Sequence, residues 1–216
     1  AARSGTTGSG IAQACAVAGL AVVMSDISAD QVQRGLATIT ASLDRLIKRE
    51  KMTEAEKAAT LARIRVTTSL QDFADRDLVV EAASENVVVK TKIFADLDAI
   101  LAPDAIIATN TSSISITRLA AATKRPGKVI GMHFFNPVPV MALIEIISGL
   151  QSSPETFSAV EALAKSIGKT PIRVKNSPGF VVNRMLCPMI NEAIFALGEG
   201  LASAAEIDEA MKLGCN

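Results

Sequence analysis

The sequence holds one histidine, His133, followed by Phe134-Phe135-Asn136-Pro137-Val138-Pro139. Twelve residues after it, Glu145 interrupts an otherwise apolar predicted strand over 142–147. A carboxylate among Leu143, Ile144, Ile146 and Ile147 is costly to bury unless it is paired. A His–Glu pair accounts for both residues. Imidazole exchanges protons near neutral pH, and a carboxylate on one ring nitrogen fixes the tautomer and supports the cationic form. The chemistry expected is that of a general base with its orienting group. The same residues also admit a solvent-facing glutamate on an edge strand beside an ordinary loop histidine.

A second constellation opens the chain. Gly5-Thr6-Thr7-Gly8-Ser9-Gly10 runs directly into a small, apolar helical stretch at 8–20. In a dinucleotide fingerprint, glycines permit the tight turn, the close approach of backbone to pyrophosphate and close helix–sheet packing, and the helix N-terminus supplies amide donors. Gly5 and Gly8 fit the second and third glycines, and Arg3 stands where the first would fall. Asp26 closes the next predicted strand about 20 residues later, where a carboxylate accepts from the ribose hydroxyls of NAD. It would also repel the 2′-phosphate of NADP, so NAD is the cofactor expected. The glycines by themselves also fit a flexible tail before an ordinary helix. The helix, the strand and Asp26 together weigh against that.

Both constellations need a frame. Apolar runs at 21–24, 65–68, 77–81, 105–109, 129–133, 142–148 and 171–174 read as strands, with helices between them at 87–101, 115–122 and 154–167. A long helix over 28–51 carries Val32, Leu36, Ile39, Leu43, Leu46 and Ile47 at helical spacing. Thr53 with Glu54 and Glu56 starts another helix by cap chemistry, giving a helical hairpin expected to project from the sheet. This alternation predicts an α/β fold, a Rossmann-type doubly wound, mainly parallel sheet. The pattern breaks at Asn176-Ser177-Pro178-Gly179, after which 180–197 and 203–213 read as helices. We therefore expect a dinucleotide-binding domain over 1–176 and the beginning of an all-helical domain over 177–216. Residues 1–4 are too short and polar to supply the strand that precedes a fingerprint. The expectation is that the polypeptide is longer, or that these residues depart from the parent sequence.

Composition sets the outer bounds. The 216 residues carry 22 Lys+Arg against 22 Asp+Glu, a formal net charge of zero, and 49% are hydrophobic with no Trp or Tyr. That excludes intrinsic disorder and argues against a nucleic-acid surface, which needs a basic face and stacking platforms. The three cysteines, Cys15, Cys187 and Cys215, form no metal or redox spacing and read as buried free thiols in a reducing compartment. No apolar run is long enough to span a membrane, and no signal peptide is evident. A soluble, cytoplasmic protein is expected.

Five stretches and one single residue then carry a resemblance: GTTGSGIAQ (5–13), Asp26, DLVVEAASEN (77–86), ATNTSSISI (108–116), GMHFFNPVPVMALIEII (131–147) and SPGFVVNR (177–184). In order and over almost the whole chain, the sequence resembles the L-3-hydroxyacyl-CoA dehydrogenase family, most of all its single-function members acting on 3-hydroxybutyryl-CoA. The resemblance implies an NAD-binding Rossmann domain followed by a helical domain that forms a homodimer. It implies that His133 takes the proton from a 3-hydroxyl as hydride leaves C3, and that Glu145 orients and supports it. Ser112 would hydrogen-bond the substrate oxygen and Asn183 would help position substrate. Gly5, Gly8, Asp26, Glu85, Lys90 and Asn136 match positions that contact NAD, and Asn110 lies where it could reach nicotinamide or substrate. On the hairpin, Ser42 and the basic Lys48-Arg49 match where the family grips CoA.

Plainer readings stand beside these. Ser112 and Ser113 could cap the helix beginning near Ser115, and Asn183 could be a helix-surface amide. Lys48, Arg49 and Lys51 could be a solvated helix end whose cations suit the dipole. Lys90 could be an exposed helix lysine. Thr7 stands where the family has a hydrophobic residue, and residues 211–216 resemble text partway through the family's helical domain. As whole-chain alternatives, a non-catalytic NAD-binding or oligomerisation fragment and a same-fold dehydrogenase of a free hydroxy acid remain open.

Overall fold

The computed structural model describes residues 6–215. Gly5 and Arg3 lie outside the described residues, so the fingerprint is represented by Gly8 and Gly10. The chain runs through α1 (Thr6–Val17), β1 (Val22–Ser25), α2 (Ala29–Lys48), α3 (Glu54–Ala62), β2 (Ile64–Thr67), β3 (Leu78–Glu81), α4 (Val87–Ile100) and β4 (Ile106–Thr109). It continues through α5 (Ile116–Ala120), β5 (Val129–Phe134), β6 (Leu143–Ser148), α6 (Pro154–Ser166), β7 (Thr170–Lys175), α7 (Val182–Gly198) and α8 (Ala204–Cys215). Short 3-10 turns at Leu70–Phe73 and Pro126–Lys128 went unread in the sequence.

The helix starts follow their caps. The Ser28 hydroxyl accepts from the Gln31 amide at α2, and Asn86 accepts from the Val88 and Val89 amides at α4. At α3, Thr53 and Glu56 form a reciprocal capping box, which satisfies two amides that no helical carbonyl can reach. At α5 the cap is Ser115, whose hydroxyl accepts from the Arg118 amide. The capping role considered for Ser112 and Ser113 is thus taken by another residue.

Strands β3-β4-β5-β6-β7 form one sheet in that order, all neighbours parallel except β5 and β6. The expected mainly parallel sheet is present, with one antiparallel junction. Strands β4 and β5 are buried along their whole length, as strands covered on both faces must be. One face packs Val80, Ala108, Ile130, Ile144 and Ile146 against Ile11 of α1 and Phe157, Val160 and Ala164 of α6. The other packs Val79, Ile107, Val129 and Ile147 against Phe94 and Leu97 of α4 and Ile116 and Leu119 of α5. Strands β1 and β2 pair in parallel as a separate two-stranded sheet. Between β1 and β3 runs a groove of about 460 Å³, lined by Val22, Val23, Leu78, Val80 and side chains of α1.

The structure corrects two expectations. The α2–α3 hairpin does not simply project: Ile39 and Leu43 of α2 close a core with Ala12, Ala16, Met24 and Ile64, because an apolar stripe must be covered. Nor are all cysteines buried. The three are free thiols, but Cys187 and Cys215 are exposed and only Cys15 is partly covered, where burial pushes its thiol up. Helices α7 and α8 bury no residue and leave Met185, Met189, Ile190, Ile194, Phe195 and Leu213 open, so the cysteines they carry are open too. Among the described residues no helix is long and apolar enough to cross a membrane.

Candidate active site

The antiparallel junction builds the centre of the site. His133 of β5 and Glu145 of β6 are register partners, and directly opposed residues present their side chains on the same face. Their twelve-residue separation is closed by the loop that carries Asn136 and Pro137. The imidazole Nδ1 lies 2.7 Å from Glu145 Oε2, with His133 6% and Glu145 0% exposed. Strand β6 lies inside the sheet between β5 and β7, which removes the edge-strand reading of Glu145. The other carboxylate oxygen, Oε1, accepts from the Val181 and Val182 amides at 3.0 Å each. The imidazole rests against Phe135, 4.7 Å between ring centroids, and edge-on against Phe180 at 5.5 Å.

An ionised Glu145 accepts from Nδ1–H, which leaves the lone pair on Nε2. His133 lines a cleft of about 310 Å³ together with Thr7, Glu85, Asn110, Ser112, Phe135, Asn136 and Asn183. Of the residues predicted from sequence, the cleft thus gathers His133, Ser112, Asn183, Glu85, Asn110 and Asn136. Asn110 has a structural task as well: its Oδ1 accepts from the Phe134 amide at 2.8 Å, tying the end of β4 to the strand end beside His133.

Glu85 organises the serine loop. Its Oε1 accepts from the hydroxyls of Thr111 (2.5 Å) and Ser113 (2.9 Å) and from the amides of Ser112 (2.9 Å) and Ser113 (3.0 Å). Burial raises its carboxyl, but the hydroxyls of Thr111 and Ser113, the Lys90 charge and the Ser112 amide outweigh that and hold it below the ordinary carboxylate range. Lys90 is not an exposed helix lysine. Its side chain is 1% exposed and lies beneath the cleft, donating to Glu81 Oε1 (2.8 Å), Glu81 Oε2 (2.9 Å) and the Ala83 carbonyl (3.2 Å), 3.5 Å from Glu85. Glu81 also accepts from the Thr109 hydroxyl at 2.8 Å and from the Ala83 amide.

A second, mostly apolar slot of about 110 Å³ is lined by Ser25, Asp26, Ile27, Leu70, Phe73, Ala82 and Ile93. Asp26 sits just past β1, its Oδ1 accepting from the Ile27 amide at 2.6 Å. An apolar slot with a carboxylate at its rim suits an adenosine. Gly8 is buried at the start of α1. A Cβ on Gly10 would meet Val138 Cβ at 2.8 Å and Pro139 Cδ at 3.4 Å, so only glycine lets α1 lie on the loop that carries Asn136. The two clefts and the glycine-lined helix start fit a dinucleotide. On the hairpin, Ser42 is half-buried and Lys48 and Arg49 are exposed, and none of the three lines the His133 cleft.

Four contributors went unread in the sequence. Glu81 carried the same signal as Asp26, a carboxylate closing an apolar run. Gly10 was legible as a third small residue in the motif. Lys169, whose Nζ donates to the carbonyls of Val138 (2.5 Å) and Met141 (2.8 Å), tethers the loop after His133, and burial lowers its ammonium below the usual range. The amides of Val181 and Val182 act through backbone and leave no side-chain signature.

Residues 3–177 match the family model described as 3-hydroxyacyl-CoA dehydrogenase, NAD binding domain, and residues 179–216 match 3-hydroxyacyl-CoA dehydrogenase, C-terminal domain. A 3-hydroxybutyryl-CoA dehydrogenase of Clostridioides difficile is 50% identical over 213 residues, covering 99% of this chain and 76% of that protein. A 3-hydroxyadipyl-CoA dehydrogenase of Escherichia coli is 44% identical, covering 98% of this chain and 44% of that protein. The crystal structure of an (S)-3-hydroxybutyryl-CoA dehydrogenase from Ralstonia eutropha superposes with a TM-score of 0.97 at 65% identity, covering 100% of this chain and 76% of that one.

Proposed function

The chain belongs to the 3-hydroxyacyl-CoA dehydrogenase family, and on that premise we propose that it interconverts (S)-3-hydroxybutyryl-CoA and acetoacetyl-CoA with NAD. The observation that carries the reading is the buried His133–Glu145 pair opening on a cleft with Ser112 and Asn183. When bound, NAD supplies the acceptor for the hydride from C3. The chain's own residues handle the proton and the geometry. Nε2 of His133 takes the proton of the 3-hydroxyl, and Glu145 keeps Nδ1–H in place and stabilises the imidazolium that results. The Ser112 hydroxyl donates to the substrate oxygen, Asn183 holds the thioester end near His133, and Phe135 and Phe180 keep water from the ring.

Gly5, Gly8 and Asp26 hold the adenosine and pyrophosphate, and Glu85, Asn110 and Asn136 face the nicotinamide end, with Lys90 supporting Glu85 from beneath. Ser42, Lys48 and Arg49 grip the CoA phosphates, cations being what a chain of zero net charge must supply locally. Residues 1–176 form the NAD-binding domain and 177–216 the beginning of the helical domain. The apolar faces of α7 and α8 form the homodimer contact, since exposed apolar surface of that extent marks an interaction site. The working compartment is the cytoplasm, which keeps three free thiols reduced.

The reading is tested by initial rates of NADH formation. (S)-3-hydroxybutyryl-CoA is expected to exceed free (S)-3-hydroxybutyrate by about two orders of magnitude in kcat/KM, because remote binding energy is spent at the reacting centre. Equal rates would favour a dehydrogenase of free hydroxy acids, and NAD binding in calorimetry without turnover would favour a non-catalytic module.

Asp26 makes a separate prediction. Asp26→Ala removes a charged acceptor whose hydrogen bonds are worth about 1.5–3 kcal/mol. The KM for NAD should rise about 10- to 100-fold, and the preference for NAD over NADP should narrow. A KM within about twofold of the wild type would remove Asp26 from the cofactor site.

A further inference from the structure

We infer that the turn over residues 177–182 is a positioning device for the catalytic base, with Phe180 acting on His133 through Glu145. The inference rests on His133 being the base and goes beyond it. Phe180 has φ 51° and Gly179 φ 74°. A left-handed conformation is open to glycine but sterically disfavoured for a bulky side chain, and it persists only where the surroundings over-determine it. Here the ring does so. It is 3% exposed and meets the imidazole edge-on at 5.5 Å, while the Phe180 amide donates to the Ser177 carbonyl at 3.0 Å. Gly179 leaves no room for a side chain, since a Cβ there would lie 3.0 Å from the Arg184 amide nitrogen.

The consequence falls on the next two residues. Their amides, at the start of α7, both donate to Glu145 Oε1 at 3.0 Å. The Val181 side chain is exposed, so it is the Phe180 anchor and not packing of Val181 that aims this backbone. Glu145 therefore has one oxygen on His133 and the other on the joint to the helical region, and it cannot rotate without breaking one set. If the turn relaxes, the carboxylate swings, Nδ1–H loses its acceptor, and the lone pair is no longer confined to Nε2. The joint between the two regions thus sets the proton-accepting state of the base.

The test is a double-mutant cycle in the whole protein. Phe180→Gly keeps the positive φ and removes the anchor. It should lower kcat for (S)-3-hydroxybutyryl-CoA by about 10- to 100-fold, the size of effect that a misplacement near 1 Å produces. The KM for NAD and for the thioester should stay within about threefold. In a Glu145→Gln background the same substitution should cost clearly less than in the wild type, because residues acting through one group are not additive, and what remains reports the direct contact of the ring with His133. The chain has a single histidine, so ¹⁵N-histidine spectra report His133 alone. The wild type should show the Nδ1–H tautomer, and Phe180→Gly should move the signals toward a tautomer average, which loss of general stability does not do. If Phe180→Gly fails to fold, Phe180→Leu, which keeps apolar bulk in the seat, carries the same cycle with an expected loss of about 3- to 10-fold. An undiminished effect in the Glu145→Gln background, or an unmoved tautomer, would overturn the inference. Turnover that survives His133→Ala overturns instead the reading of the base on which it rests.

Discussion

His133→Ala should lower kcat/KM for (S)-3-hydroxybutyryl-CoA by about 10²–10⁴-fold, the usual contribution of a positioned general base. NAD affinity should be kept, because the residues proposed for the adenosine lie in a different slot, around Asp26. The argument is geometric. Nδ1 is committed to Glu145 at 2.7 Å, and the carboxylate is fully buried with its second oxygen filled by two amides. Imidazole in that setting offers Nε2 and only Nε2 to a substrate hydroxyl. Removing the ring also leaves the Glu145 charge facing an apolar hole, so some stability is lost with the activity. Steady-state rates from NADH absorbance, with a melting curve on the same sample, separate the two effects. A variant that keeps more than about a tenth of wild-type kcat/KM would assign proton transfer elsewhere.

The second large effect is on the fold. Lys90 and Glu81 form an ion pair with side chains 1% and 2% exposed. Deleting one partner of such a pair leaves an uncompensated buried charge and costs about 3–5 kcal/mol. Lys90→Met should therefore lower Tm by roughly 6–20 °C for a domain of this size. Glu81 keeps the Thr109 hydroxyl and the Ala83 amide, but these cannot neutralise it. The double variant Glu81→Gln/Lys90→Met should melt above Lys90→Met alone, because an amide needs no counter-charge. Equal melting temperatures for Lys90→Met and wild type would show that Lys90 is an ordinary surface lysine. The same variant should raise the KM for NAD, since Glu85 and the Thr111–Ser113 loop it holds lose their buried cation.

The site could be read from the sequence where burial would otherwise be expensive. Glu145 among leucine and isoleucine is costly to bury without a partner, and the single histidine twelve residues before it offers one. Asp26 after a short apolar strand, and the glycines before α1, marked the cofactor side for similar reasons of charge and space. The helix start at Thr53 was legible because caps are local chemistry. What escaped the sequence is non-local. Nothing in Leu143–Ser148 says that β6 runs antiparallel to β5, yet that reversal is what puts His133 opposite Glu145. Glu81 closes an apolar strand, but its partner Lys90 is the one charged residue on a buried helix face that otherwise carries Phe94 and Leu97, and nothing local to either residue pairs them. The Val181 and Val182 amides had no signal at all, because any residue but proline could supply them.

The account turns on removal of hydrogen from C3 at the His133 cleft. The measurement closest to that claim is oxidation of (S)-3-hydroxybutyryl-CoA deuterated at C3, with NAD present and the reduced nicotinamide weighed by mass spectrometry. The account predicts NADH carrying the deuterium, formed by the wild type and slowed by about 10²–10⁴-fold in His133→Ala. NAD that binds but stays unreduced, or NADH that forms without the label, would contradict it.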